Sequence, residues 1–175
     1  DKLANEVSFN FYAFGFSGSG KTYTLVEGGE ENIDKGIEAD PSVLTVVMDD
    51  LMKNVETSSG EVLKSGGLSI TCYYPMTKEK KYFNGDEFQD TEKIIEINEK
   101  LKIKDLIKKV ESEMRKNLFI VPTSNNPNSS RAFTIFNLVT EKNDGSAQGS
   151  LRIIDMPGFE KTALIKKDFL FGKAF

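Results

Sequence analysis

The chain has 175 residues, of which 38% are hydrophobic and 29% charged, with a formal net charge of −4 and no histidine. That describes one ordinary globular domain able to bury roughly 70% of its unfolded surface. It excludes histidine-based catalysis and histidine metal sites, offers no basic excess for nucleic acid, and contains no apolar run long enough to span a membrane.

Val7–Phe14 is largely apolar and aromatic and reads as a strand. It runs into Gly15-Phe16-Ser17-Gly18-Ser19-Gly20-Lys21-Thr22, which satisfies G-x-x-x-x-G-K-[ST] at every fixed position. Small residues let backbone N–H groups curl around a phosphate chain, Lys21 brings a cation to its outer oxygens, and Thr22 offers a hydroxyl to Mg²⁺. A helix is expected from about Gly20, its dipole adding partial positive charge at the loop. Gly28–Gly36 and Thr57–Gly67 read as surface loops. Between them Pro41 opens a predicted helix to about Val55, with Leu44, Val47, Met48 and Leu51 on one face. Leu68–Tyr74 is the second predicted strand. It holds the only cysteine, Cys72, expected to be a buried small hydrophobe in a reducing compartment.

The Lys78–Lys81 run is read as a solvated face, since acidic residues are interspersed. Tyr82–Phe88 forms a predicted small hairpin around Asn84-Gly85. Ile103–Lys116 is the strongest helix: Ile103, Leu106, Ile107, Val110 and Met114 line one stripe. Next come a polar cluster, Asn126-Pro127-Asn128-Ser129-Ser130-Arg131, and two strands, Phe133–Thr140 and Leu151–Asp155. The turn Asn143-Asp144-Gly145 predicts that these strands form an antiparallel hairpin. Asp155-Met156-Pro157-Gly158-Phe159-Glu160 then places an acid at the end of a buried strand, where P-loop enzymes hold Mg²⁺, and a glycine whose N–H can approach a terminal phosphate. Interleaved strands and helices predict an α/β layer fold without a domain linker.

In order and spelling the three segments resemble the motor domain of kinesins. GFSGSGKTYTL is similar to the loop consensus GQTGSGKTYTM, Asn126-x-x-Ser129-Ser130-Arg131 to the first switch NxxSSRSH, and Asp155-x-x-Gly158-x-Glu160 to the second switch DLAGSE. Gly36-Ile37 followed by Pro41 and an apolar helix echoes the segment after the kinesin loop. Myosin switches share Asn126, Asn128, Phe159 and Glu160. However, roughly 110 residues separate Lys21 from Arg131 and about two dozen separate Arg131 from Asp155, which resembles kinesin spacing. No N-K-x-D guanine motif supports a GTPase.

The resemblance implies a P-loop NTPase, a three-layer α/β/α domain with a mixed central sheet, spanning residues 1–175 but only about the middle half of a motor. It implies ATP and Mg²⁺ as cofactors. Gly15, Phe16, Ser17, Gly18, Ser19, Gly20, Lys21 and Thr22, with Tyr23 beside them, would bind the nucleotide. Ser129 and Ser130 would approach the γ-phosphate and metal, Thr22, Ser130 and Asp155 would serve Mg²⁺, and the Gly158 N–H would sense the γ-phosphate. Arg131 and Glu160 would form the ion pair that closes the switches and relays a proton from the attacking water. Implied partners are ATP or ADP and, within a longer motor, microtubules. A cytoplasmic location is implied, cytoskeleton-associated if the chain is a true motor, with neither nucleic acid nor membrane as partner. The alternative is a non-motile nucleotide-binding structural or regulatory protein that kept the pocket and lost the track site.

Departures accompany the resemblance. Ala132 and Phe133 replace the S-H after Ser-Ser-Arg, and Met156-Pro157 replaces L-A, so the second switch is expected to be stiffer. The first residue is Asp1, which reads as a processed, trimmed or excised chain. The upstream base-binding motif and the downstream track-binding helix and neck are not expected in it; Lys161–Phe175 is a Lys- and Phe-rich tail. Val7–Phe14 would then be an edge strand with apolar side chains on both faces, a site for association.

Overall fold

The structure, a computed structural model, describes residues 8–29, 40–52, 64–75, 77–97, 101–117, 131–141 and 147–159. The apolar run before the glycine-rich loop forms β1 (Ser8–Ala13), followed by β2 (Lys64–Tyr74), β3 (Glu79–Phe83), β4 (Phe88–Gln89), β5 (Phe133–Glu141) and β6 (Ala147–Asp155). Helix α1 (Val43–Met52) lies between β1 and β2 in the chain, and α2 (Ile103–Lys116) between β4 and β5. The strands make one mixed sheet in the order β1-β6-β5-β2-β3-β4. β1 is parallel to β6, and the other pairs are antiparallel, including the anticipated β5–β6 pair. The turn predicted at residues 143–145 lies outside the described residues.

Register turns sequence alternation into a core. One row crosses five strands as Phe11, Ile153, Phe136, Ile70 and Phe83, and the next runs Phe9, Leu151, Leu138 and Leu68. Ile153, Ile70 and Phe83 in these rows are wholly buried, in one cluster with the α2 stripe Ile103, Leu106, Ile107, Val110 and Met114 and with Leu44, Met48 and Leu51 of α1. At roughly 1.5–3 kcal/mol for each large apolar side chain buried, this single cluster dominates the stability. Asn10, Tyr12, Arg152, Ile135 and Asn137 occupy the other face and are half-buried or exposed among the described residues.

Local chemistry sets the boundaries. Ser42, not Pro41, caps α1: its Oγ accepts the Thr45 N–H at 3.1 Å and donates to the Val26 carbonyl at 2.8 Å, tying the helix to the segment after the loop. Asn84 shapes the small hairpin by accepting the Asp86 and Glu87 N–H groups on Oδ1, with Gly85 at φ 109°.

Two expectations need correction. Lys64–Gly67 is strand, not loop, because its glycines form a β-bulge between Ser65 and Gly67 rather than a turn; Gly67 has φ 118°. The helix after the glycine-rich loop is short and wide: Lys21 and Thr22 are helical, then Tyr23–Glu27 is a π-helix ending at Gly28, whose N–H bonds the Tyr23 carbonyl. Cys72 is buried as expected, and desolvation pushes its thiol up to about 12, so it is an inert core group.

Candidate nucleotide-binding site

The register brings three sequence-distant positions to one end of the sheet. Ala13, the last residue of β1, faces Asp155, the last of β6, and Asp155 faces Thr134 near the start of β5. The loop therefore leaves β1 beside the acid that ends β6, with Arg131 three residues before Thr134. This is the carboxyl end of the parallel pair, where open α/β sheets place ligands.

Gly15, Gly18 and Gly20 adopt φ 158°, 78° and 85°, the last two in the left-handed region where a side chain is strained. Lys21 folds back so that its Nζ donates to the carbonyls of Gly15 at 3.1 Å and Phe16 at 2.8 Å, placing the cation at the loop mouth. Thr22 Oγ1 donates to Asp155 Oδ2 at 2.7 Å. The other carboxylate oxygen, Oδ1, is buried and has no hydrogen-bond partner among the described residues. Burial pushes the Asp155 carboxyl up to about 6, opposed by the Thr22 hydrogen bond and the Lys21 charge and reinforced by Glu27. A hydroxyl and an under-coordinated buried carboxylate in contact fit the ligand chemistry of a hydrated magnesium ion.

A cavity of about 30 Å³, room for a water, adjoins this pair between the π-helix and α2; Thr22, Val26, Glu111, Met114, Thr134 and Asp155 are among its walls. Glu111 was not singled out in the sequence. Desolvation, a hydrogen bond with Glu27 and that group's charge push its carboxyl up to about 7; Arg115 opposes this and Asp155 adds to it. The only signal was its place four residues after Ile107, at the edge of the apolar stripe of α2.

The segment after Asp155 lies against the loop. Phe159 N–H donates to the Gly15 carbonyl at 3.1 Å and Ser17 N–H to the Phe159 carbonyl at 3.0 Å, a parallel bridge pairing Phe16 with Phe159. The β1–β6 register pairs Ala13 with Asp155, so the bridge resumes one residue out of step. The slip spans Met156-Pro157-Gly158, where Pro157 has no N–H to continue the ladder. Gly158 makes the approach possible, since a Cβ there would stand 2.5 Å from Ser17 Cα. The rings of Phe14 and Phe159 also meet, centroids 4.8 Å apart. Tyr23 flanks the loop, its hydroxyl donating to Asp40 Oδ2 at 3.1 Å. Arg131 is half-buried before β5. Ser129, Ser130 and Glu160 lie outside the described residues, as do Asn126 and Asn128.

A glycine-rich loop on a parallel strand, with an acid ending the adjacent strand of a mixed sheet, is the arrangement of the P-loop NTPase fold. More narrowly, the fold is that of a kinesin motor core. A solved structure of residues 391–755 of KIF14, with ADP and in complex with a microtubule, matches over 91% of this chain and 48% of that one, with TM-score 0.50 and 19% identity. The C-terminal motor domain of Kar3 from Candida glabrata matches over 95% of this chain and 53% of its own, with TM-score 0.45 and 17% identity. The chain thus spans about half the length of the solved domains it matches. No protein-family model and no curated protein matches it. Among the described residues, no helix is long and apolar enough to cross a membrane.

Proposed function

We propose that residues 1–175 form a single kinesin-like NTPase domain that binds ATP with magnesium and hydrolyses it, as part of a microtubule-dependent motor. The observation that carries this is the 2.7 Å contact between Thr22 Oγ1 and Asp155 Oδ2, which unites the glycine-rich loop with the second-switch acid across 133 residues of sequence. Among the described residues, the Ser17 amide bonds the Phe159 carbonyl and the Ser19 amide bonds the Phe16 carbonyl. The amides of Gly18 and of Gly20 to Thr22 are those a phosphate chain would take, and Lys21 would exchange its two carbonyls for phosphate oxygens. Thr22 and Asp155 would hold magnesium, with Ser130 as a further ligand. The metal would neutralise charge on the phosphates. Gly158 N–H would meet the γ-phosphate, and Arg131 with Glu160 would position the attacking water and take its proton, work that is mostly orientation and charge stabilisation.

Titration with a fluorescent ATP analogue, followed by phosphate release with and without microtubules, tests both parts. Saturable magnesium-dependent binding and hydrolysis that microtubules accelerate are expected; no binding at millimolar nucleotide refutes the assignment. A second reading, a non-motile protein that kept the pocket, draws support from the Phe159–Gly15 bridge, which ties the second switch to the loop. It predicts nucleotide binding with hydrolysis indifferent to microtubules.

A further inference from the structure

We propose that Glu111 is a positioning residue for the magnesium site, holding Asp155 Oδ1 through one water seated in the cavity between α2 and the π-helix. That role presupposes the ATP and magnesium reading given above; the water bridge does not. Asp155 is 6% exposed, so little solvent reaches its carboxylate. Thr22 occupies Oδ2, and Oδ1 has no hydrogen-bond partner among the described residues. A bare charged oxygen at that depth is costly, and folded proteins supply such groups with a protein or water partner. The adjoining cavity, about 30 Å³, suits one water. Its polar walls are Thr22, Glu111, Thr134 and Asp155, and the rest are aliphatic, aromatic or sulfur-bearing, so a water there has few other groups to bond.

The polar walls come from both sides of the cavity. Thr134 stands directly opposite Asp155 in the β5–β6 register, which puts both side chains on one face of the sheet. Its hydroxyl donates to Met114 Sδ at 3.5 Å, a weak acceptor that a water oxygen outcompetes. Glu111 approaches from α2. It follows Ile107 by one turn and precedes Met114, both buried and both walls of the cavity, so its stem is carried inward with theirs. A hydrogen bond with the exposed Glu27 steadies the Glu111 carboxyl from outside. The water then accepts from Thr134 and donates to Asp155 Oδ1 and to Glu111, about three bonds, the usual number for a buried water. Among the described residues no cluster of acids, histidines or cysteines is arranged to hold a metal, which favours water over a second cation here. A carboxylate tied back at Oδ1 keeps Oδ2 beside Thr22, the pair that would hold magnesium, and hydrogen bonds behind a metal-bound group govern metal affinity by about 10–100-fold.

Magnesium titrated into the whole 175-residue chain with a fluorescent ATP analogue, in wild type and in Glu111→Leu, Glu111→Gln and Thr134→Val, tests the role. Glu111→Leu should weaken magnesium about 10–100-fold while nucleotide affinity in EDTA stays unchanged. Glu111→Gln, whose amide oxygen still accepts from the water, should restore wild-type magnesium dependence. Thr134→Val should shift it in the same direction as Glu111→Leu, and it carries the test if Glu111→Leu fails to fold by urea titration. Equal magnesium dependence in wild type and Glu111→Leu, or an equal loss in Glu111→Gln, overturns the positioning role. A wild type without magnesium-dependent binding overturns instead the nucleotide reading, and this role with it. A nucleotide-free crystal structure fine enough to show waters gives the second readout. Density within hydrogen-bond distance of both Asp155 Oδ1 and the Glu111 carboxyl supports the bridge, and none there overturns it.

Discussion

Gly158→Ala places a single methyl where the segment after β6 meets the glycine-rich loop. Its Cβ would stand 2.5 Å from Ser17 Cα, 2.6 Å from Ser17 N and 2.9 Å from Ser17 Cβ, well inside the ~3.5–4.0 Å at which carbon atoms attract. Two of those atoms are backbone, so no side chain can swing aside. If the segment lifts away, the chain forfeits the Phe159–Gly15 and Ser17–Phe159 hydrogen bonds, about 1 kcal/mol each. The Phe14–Phe159 ring contact goes with them, at about 0.5–1.5 kcal/mol. If the segment stays, overpacking costs about 1–3 kcal/mol. Undocking therefore caps the loss near about 3 kcal/mol, since the cheaper response prevails. Urea unfolding should show a lower midpoint at unchanged slope, and hydrogen exchange should speed up at the Ser17 and Phe159 amides. Gly20→Ala is the contrast. No atom lies within 4 Å of its Cβ but φ is +85°, so it should lose about 1 kcal/mol through backbone strain while the Phe159 bridge keeps its protection. A Gly158→Ala protein with wild-type midpoint and wild-type exchange at both amides would refute the close approach.

Lys21→Ala should abolish nucleotide binding while the fold survives, because its Nζ bonds only loop carbonyls; equal affinity in both proteins by titration would sink the phosphate assignment. Glu160→Ala should bind nucleotide normally yet turn over about 10²–10³ more slowly, measured by phosphate release. Glu111, whose folded carboxyl sits near 7 against an ordinary 4.5, binds its proton more tightly in the folded chain than in the unfolded one. Its contribution is therefore complete below about pH 4.5 and disappears as pH rises through 7. Discounted for contact with solvent, the effect is about 1 kcal/mol. Glu111→Gln should accordingly gain about that much on the wild type between pH 5 and pH 8 in denaturant titrations, and parallel pH profiles would argue against the Glu27–Glu111 pairing.

Periodicity made the strands and α2 legible, because burying one face requires it: Ile103 to Met114 repeat at helical spacing, and β5 alternates along its length. The glycine-rich loop was legible as a tight loop because its path needs glycine: Gly18 and Gly20 sit at φ 78° and 85°. Where local signals misled, tertiary pairing had overridden them. Gly66-Gly67 looks like a turn in isolation yet forms a bulge once β5 supplies a partner strand. Glu111 looks like one more surface charge on α2 until Glu27 and Asp155 arrive from distant segments.

The chain's own letters settled which groups exist: a loop with Lys21 and Thr22, an acid at Asp155, a glycine at Gly158, and neither histidine nor a second cysteine. Only folding decided which of them meet. Strand β6 lies between β1 and β5, and that order alone puts Asp155 within 2.7 Å of Thr22 and Phe159 onto Gly15. Among the described residues, the same order leaves β1 at the border of the sheet. Residue type and spacing act over a few residues of backbone, whereas strand order is chosen by the cooperative burial of one core drawn from the whole chain.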